Sequence, residues 1–178
     1  VLSETEKTNT TATTVKQWIH PVDKKQKAEL LSFLIEENRW HQLLVFVRTR
    51  RGANRLSLVL EKRGIKASSI HGGKSQNARN RALAEFKSGK VHALVATDVA
   101  ARGLDIDQMP VVVNYDLPNV AEDYVHRIGR TGRAGEKGSA ISLVSADEVD
   151  DLRAIQNLIQ KQLERIIVED FEPNHVVP

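Results

Sequence analysis

Short apolar runs alternate with amphipathic segments along most of this 178-residue chain. The apolar runs predict strands at residues 15–22, 43–47, 67–70, 92–96, 111–115 and 139–144. Apolar residues at three- and four-residue spacing predict helices at residues 24–38, 50–63, 75–87, 120–128 and 147–165, with a short helix from Asp98. Asp23 is expected to cap the first helix, and Gly64 is expected to end the second.

Strands that are apolar throughout and alternate with helices are typical of a parallel sheet covered on both faces. We therefore predict an α/β fold of three layers, with a mostly parallel sheet between two layers of helices. Residues 15–178 would form this domain, and the polar, threonine-rich residues 1–14 are expected to be a flexible N-terminal linker or tail. In such folds the loops at the carboxyl ends of the strands carry the ligand sites.

The composition excludes several classes of protein. The sequence has no cysteine, which rules out a disulfide scaffold and a cysteine-ligated metal site and fits a reducing cytoplasm. The six histidines lack the spacing of metal ligands, so no metal site is expected. No apolar run approaches the roughly 20 residues that span a bilayer, so no membrane association is expected. Val1 as the first residue suggests a fragment of a longer protein.

Charge is distributed unevenly along the chain. Residues 48–90 contain twelve Lys and Arg against two acids, whereas residues 145–178 contain three Lys and Arg against eight Asp and Glu. A basic middle and an acidic end suggest one face built for a polyanion. The alternative is a set of solvated helix faces.

The first polar segment at a predicted carboxyl end is Thr97-Asp-Val-Ala-Ala-Arg-Gly-Leu-Asp105. A carboxylate such as Asp105 can accept hydrogen bonds from ribose hydroxyls, while Thr97 and free N–H groups at a helix start can hold a phosphate. In the alternative interpretation, Asp98 only caps a helix and Arg102 pairs with a nearby acid.

The second segment is His126-Arg-Ile-Gly-Arg-Thr-Gly-Arg133, which places four basic side chains within eight residues. Arg130 and Arg133 are three apart, so both can point the same way from a helical turn. A guanidinium binds phosphate oxygens through paired hydrogen bonds and keeps its charge, which suits a phosphoryl-transfer transition state. The alternative is a solvated basic turn or a salt-bridge network with the acidic C-terminal helix.

The segment at 126–133 resembles motif VI of superfamily 2 helicases in its DEAD-box form, and the segment at 97–105 resembles motif V. Residues 44–49 resemble motif IV, Gln76 and Arg79 fit the Gln-x-x-Arg of motif IVa, and residues 112–118 resemble motif Va. His71-Gly-Gly-Lys-Ser-Gln and Phe171-Glu-Pro suggest the bacterial RhlE-like subgroup. The resemblance implies the C-terminal RecA-like domain, domain 2, of an ATP-dependent RNA helicase.

The resemblance also implies roles for individual residues on the nucleotide side. Arg130 and Arg133 would be arginine fingers that reach the ATP phosphates. His126 and Arg127 would couple the two RecA-like domains at their closed interface. The remaining nucleotide contacts would be Gly103 and Asp105, with Asp105 on the ribose.

On the nucleic-acid side, the resemblance implies sequence-independent contacts to the RNA backbone. They are assigned to Arg48, Thr49, Arg50, Gly72, Gln76, Arg79, Thr97 and Arg102. Arg102 could instead serve the interface between domains. Phe46 is expected to be a core residue that packs behind motif VI.

The sequence contains no P-loop of the form Gly-x-x-x-x-Gly-Lys-Ser/Thr, because Ser68 stands where Gly73-Lys74-Ser75 would need the first glycine. Asp-Glu-Ala-Asp and Ser-Ala-Thr are also missing. In the family, these motifs belong to the N-terminal RecA-like domain, which would also hold the Mg²⁺ of ATP.

We therefore predict a cytoplasmic, ATP-dependent RNA helicase as the full-length protein, whereas this fragment alone would hydrolyse no ATP. Its partners would be RNA and the N-terminal RecA-like domain of the same protein. One alternative is the second domain of another superfamily 2 helicase, acting on DNA. The other is a stand-alone module that binds RNA or a partner without catalysis.

Overall fold

The computed structural model describes residues 15–132 and 138–178. The strands are β1 (Lys16–Pro21), β2 (Leu43–Phe46), β3 (Ala67–Ile70), β4 (Ala93–Ala96), β5 (Val111–Asn114), β6 (Ser139–Val144) and β7 (Glu164–Arg165). The helices are α1 (Lys27–Glu37), α2 (Arg50–Lys62), α3 (Gln76–Lys87), α4 (Asp98–Ala101), α5 (Ala121–Ile128) and α6 (Val149–Ile159). Short 3-10 turns precede α1 at Lys24–Gln26 and α6 at Ala146–Glu148. The predicted tail at residues 1–14 lies outside the described residues.

The seven described strands form one sheet in the order β3-β4-β2-β5-β6-β1-β7, and every neighbouring pair is parallel. Because side chains alternate along a strand, Leu43 and Val45 pack with α1 and α2, while Leu44 and Phe46 face α3 and α4. Helices α5 and α6 cover the same side as α3, next to β1 and β6. The predicted three-layer α/β fold with a parallel sheet is confirmed.

The C-terminal end differs from the prediction. The helix predicted for residues 147–165 ends at Ile159, because Gln160 adopts the left-handed conformation with φ of 54° and the chain turns into β7. Leu163 is still buried with Leu152 and Ile155. The apolar spacing therefore predicted burial correctly, but it could not show that the last of these residues belongs to a loop.

His20, which is buried, and Trp18, which is partly buried, hold the segment that follows β7. The Trp18 indole N–H donates to Nε2 of His20 at 3.0 Å, and Nδ1 of His20 lies 2.7 Å from the carbonyl oxygen of Ile166. Nε2 therefore accepts, Nδ1 carries the proton and the ring is neutral. Burial lowers the pKa of His20, and the hydrogen bond to Ile166 opposes part of that effect.

The predicted helix ends also have different outcomes. Gly64 follows α2 with φ of 82°, as its position after the apolar repeat predicted. Asp23 is the N-cap residue of the 3-10 turn that precedes α1, as predicted, but its side chain makes no capping hydrogen bond and instead accepts the backbone and side-chain N–H groups of Asn174 at 2.9 Å. Within residues 15–132 and 138–178, no helix combines the length and apolar character needed to cross a membrane.

Candidate nucleotide and nucleic-acid site

Arg127 lies at the carboxyl edge of the sheet, where the parallel strands end. Its Nε and Nη2 donate to the Asp98 carboxylate at 2.7 and 2.8 Å. Its Nη1 donates to Asn114 Oδ1 at 3.1 Å and to the carbonyl of Asp116 at 2.6 Å. The guanidinium lies 5.0 Å from the ring centroid of Phe46. One buried side chain therefore links α5 to β2, β5 and α4.

Arg127, which is predicted to couple the two domains at their closed interface, makes all of its described contacts within this domain. Its residue is 2% exposed, and every guanidinium nitrogen already donates within the domain. Arg127 therefore positions α5, which contains His126 and is followed by Arg130. Phe46 is buried behind it, as expected.

The side chains of His126 and Arg102 are exposed, and both lie close to the carboxylate of Asp123. Asp123 Oδ1 is 3.1 Å from Arg102 Nη2 and 3.7 Å from His126 Nδ1. The alternative in which Arg102 pairs with a nearby acid is therefore realised in this structure. The alternative role of Asp98 as a helix cap is not, since its carboxylate binds Arg127 and makes no capping bond.

Arg130 lies against the turn that follows α4. Its Nη1 and Nη2 donate to the carbonyls of Leu104 at 3.1 Å and Ala101 at 3.0 Å, and Asp107 is 3.6 Å away. Phe46 forms the floor of a shallow pocket beside it, whose other lining residues are Asp98, Ala101, Arg102, Asp123, His126, Arg127 and Arg130. Arg133, the second predicted finger, lies outside the described residues.

The end of the motif V segment reaches into solvent. Gly103 has φ of 78°, a left-handed conformation that lets the chain turn away from α4. The Asp105 side chain is 88% exposed, and its nearest described cation is Lys87 at 3.7 Å. Thr97 is buried at the start of α4, where its side chain makes no capping hydrogen bond. Asp105 is therefore open to a ligand hydroxyl, whereas the Thr97 side chain is enclosed.

The loops after β2 and β3 form a separate basic surface. Arg50 is exposed in the first turn of α2, and its Nη2 lies 3.0 Å from where a Cβ on Gly72 would stand. Thr49 caps the same helix by accepting from the N–H of Gly52 at 2.9 Å. Nε of Arg79 is buried without a hydrogen-bond partner in the part of the chain that the structure describes. Gln76 is exposed beside it and donates to Asn80.

His71 holds this basic surface in shape. The N–H of Gly73 donates to its Nδ1 at 3.1 Å, so Nε2 carries the proton and donates to Asn54 Oδ1 at 3.0 Å. Burial lowers the pKa of His71, and the charges of Lys74, Arg50 and Arg79 lower it further. Three cations therefore face one loop whose backbone is fixed by a neutral histidine, which suits an anionic backbone.

Arg48, which is predicted to contact RNA, makes its side-chain contacts within this domain. Its Nη2 donates to the carbonyl of Leu117 at 2.7 Å and lies 3.7 Å from Glu148 and 3.6 Å from Asp151. Its backbone N–H donates to Asp116 Oδ2 at 2.9 Å. Arg48 is thus paired with Glu148, just before α6, and with Asp151 in α6.

Sequence reasoning missed the partners of these arginines. Asn114 and Asp116 stand within the predicted motif Va, but nothing in the pattern shows that they bind Arg127. Asp123 looks like any acid in the first turn of a helix. Lys27 and Glu148 are far apart in the sequence and fall in no motif, so only the fold brings them together.

The comparisons with known proteins agree with this geometry. Residues 26–135 match the family model described as "Helicase conserved C-terminal domain". The ATP-dependent RNA helicase SrmB of Haemophilus influenzae is 41% identical over 165 residues, which is 92% of this chain and 38% of that protein. The ATP-dependent RNA helicase CshA of Listeria monocytogenes is 45% identical over 154 residues, 86% of this chain and 30% of that protein. The chain therefore spans well under half the length of these relatives.

Solved structures give the same result. The E. coli DEAD-box protein SrmB, bound to the regulator of ribonuclease activity A, matches with a TM-score of 0.86 at 37% identity, over 92% of this chain and 97% of that one. Saccharomyces cerevisiae Dbp5 bound to RNA and ADP BeF₃ matches with a TM-score of 0.79 at 35% identity, over 88% of this chain and 42% of that one.

The fold and the arginine-lined edge define a RecA-like α/β domain. More particularly, the chain belongs to the family of helicase conserved C-terminal domains, in the form found in DEAD-box RNA helicases.

Proposed function

We propose that this chain is the C-terminal half of an ATP-dependent RNA helicase that unwinds short duplexes locally. It would supply arginine fingers to ATP that is held by an N-terminal RecA-like domain. The observation that carries the proposal is the placement of α5. Arg127 fastens this helix to the sheet, and His126 and Arg130 are thereby presented on an open pocket at the carboxyl edge.

Two features support a nucleotide on this side. Asp105 is exposed and can accept hydrogen bonds from a ribose, and Gly103 turns the chain so that it projects. Arg130 is held by backbone carbonyls, and a phosphate brought close by domain closure would compete for the same donors. Arg133 would act with Arg130, as the motif VI resemblance implies.

The carboxylates of the pocket bear on where Mg²⁺ would bind. Asp98 is paired with Arg127, and Asp123 is paired with Arg102. A pocket of arginines with paired acids fits a phosphate-facing surface better than a Mg²⁺ site, which needs free oxygen ligands. We therefore assign Mg²⁺ to the N-terminal domain, as the resemblance implies.

RNA would cross the basic surface beside this pocket. Arg50 lies against Gly72, the charges of Arg50, Lys74 and Arg79 all act on His71, and Lys74 Nζ donates to the carbonyl of Ser69 at 2.7 Å. Dbp5, which shares this fold, is described bound to both RNA and ADP BeF₃. Few aromatic side chains are available for stacking, so backbone contacts without sequence readout are expected. The bacterial RhlE-like subgroup and the cytoplasmic location stay predictions.

Nucleic-acid stimulation of ATP hydrolysis tests this function in the full-length protein. Turnover is measured with no nucleic acid, with single-stranded RNA and with DNA of the same sequence. We expect stimulation by RNA well above that by DNA. Equal stimulation by DNA would favour another superfamily 2 helicase, and no ATP turnover under any condition would favour a stand-alone binding module.

A further inference from the structure

Lys27 of α1 and Glu148 of the turn before α6 form a buried ion pair, and neither residue belongs to any of the sequence motifs. Their side chains are 2% and 3% exposed, and Lys27 Nζ lies 2.5 Å from Glu148 Oε1. Two charges lose much of their hydration when they are buried. Apolar residues of similar size in their place often stabilise a fold at least as much as the ion pair does. The pair therefore calls for a reason other than stability, and its remaining hydrogen bonds indicate one.

Both members hold the backbone that follows β5. Lys27 Nζ donates to the carbonyl of Tyr115 at 2.7 Å, and Glu148 Oε2 accepts the N–H of Leu117 at 2.7 Å. The residue between these two is Asp116, whose carbonyl accepts from Arg127 at 2.6 Å. The buried pair thus grips the chain on either side of the carbonyl that receives Arg127.

Movement of this backbone would be transmitted to α5. If the carbonyl of Asp116 moved, one N–H of Arg127 Nη1 would be buried without its acceptor. Because an unpaired buried donor is unfavourable, the Arg127 side chain would move with the carbonyl. Arg127 belongs to α5, one residue after His126 and three before Arg130. Arg48 depends on the same segment through the carbonyl of Leu117.

We propose that Lys27 and Glu148 are positioning residues for ATP hydrolysis, which they support by fixing the segment Tyr115–Leu117 and through it Arg127 and α5. This inference rests on the proposed function, because it assigns the pair to the placement of Arg130. Neither side chain contacts the open pocket, so the pair would act only through the backbone that it holds.

The test compares two matched double variants of the full-length protein. The first is Lys27→Met with Glu148→Gln. The second is Lys24→Met with Asp147→Asn, which removes a neighbouring but exposed pair, 3.3 Å apart, that has no bond to residues 115–117. RNA-stimulated kcat and KM for ATP are measured at a temperature at which circular dichroism shows both variants folded.

The buried-pair variant is expected to lose at least about tenfold in kcat with KM for ATP changed less than about threefold, because the lost interaction matters in the transition state. The exposed-pair variant should retain wild-type kcat. Equal kcat in the two variants would overturn the inference. A fall in kcat that merely tracks the folded fraction in urea would also overturn it. If the wild type itself lacks RNA-stimulated turnover, the proposed function has failed instead.

Should the double variant not fold, Glu148→Gln alone decides the matter. Glutamine keeps an oxygen that can accept the N–H of Leu117 but loses the charge next to Lys27. The expected kcat lies at least about threefold below that of the wild type, with KM again little changed. A folded Glu148→Gln protein with wild-type kcat would refute the positioning role.

Discussion

Replacing Asp98 by asparagine removes the carboxylate that pairs with the buried guanidinium of Arg127 while keeping the size of the side chain. In the wild type, both carboxylate oxygens accept, at 2.7 and 2.8 Å. The amide of asparagine offers one acceptor and turns an N–H₂ group toward the other donor. Breaking a buried pair by removing one partner costs about 3–5 kcal/mol, and the partial exposure of Asp98 favours the lower end, about 3 kcal/mol.

Urea unfolding followed by circular dichroism measures this loss. With a slope of about 2 kcal/mol per molar urea, a loss of about 3 kcal/mol lowers the midpoint by about 1.5 M. The matched control is Asp123→Asn, since Asp123 pairs with the exposed Arg102 and should change stability by less than about 1 kcal/mol. A midpoint for Asp98→Asn no lower than that of the control would refute the claim that Arg127 is an internal tie.

Three further predictions concern activity, pH and salt. The 178-residue chain alone should show no ATP hydrolysis above background with or without RNA, since it lacks a P-loop, and measurable RNA-stimulated turnover would contradict this. In the folded state the pKa of His20 lies below its ordinary value of 6.5. The contribution of neutral His20 to the free energy of unfolding should therefore be fully present above pH 6.5 and decrease as the pH falls below it. The urea midpoint should therefore be lower at pH 5.5 than at pH 7.5, and this difference should be smaller in His20→Gln. A difference of the same size in His20→Gln would show that His20 does not cause it. Finally, Arg50→Ala should reduce the slope of the logarithm of RNA affinity against the logarithm of salt concentration by about 0.7. Arg48→Ala should leave this slope unchanged. The reverse pattern would show that Arg48, and not Arg50, contacts the RNA backbone.

Strands β1 to β6 could be predicted because burial on both faces leaves a continuous apolar run in the sequence, whereas the two-residue β7 fell within a predicted helix. Segment Leu43–Phe46 is buried at every position, and it was predicted to within one residue. The end of the last helix could not be predicted in this way. Leu163 continues the apolar spacing of α6, and its burial after a left-handed turn leaves the same spacing as a longer helix would.

The candidate site was predictable as a set of residues but not as a set of contacts. Arg127 and Arg130 stand three apart in one motif and line the same pocket, yet Arg127 is buried against the Asp98 carboxylate whereas Arg130 is held by backbone carbonyls. The difference depends on an acid 29 residues away, and the sequence alone does not pair them. Arg48 shows the same limit, since its charge is matched by Asp151 in a helix at the other end of the chain.

The central claim is that this domain completes an ATPase by supplying arginines to a nucleotide held elsewhere. Its most direct test is RNA-stimulated ATP turnover of the full-length protein with Arg130→Ala or Arg133→Ala, together with RNA binding by the same variants. Arginine fingers contribute roughly 10³–10⁵ in kcat. We predict a fall of at least about a thousandfold in turnover for each variant, with RNA affinity within about twofold of the wild type. Turnover that is unchanged in both variants would contradict the account.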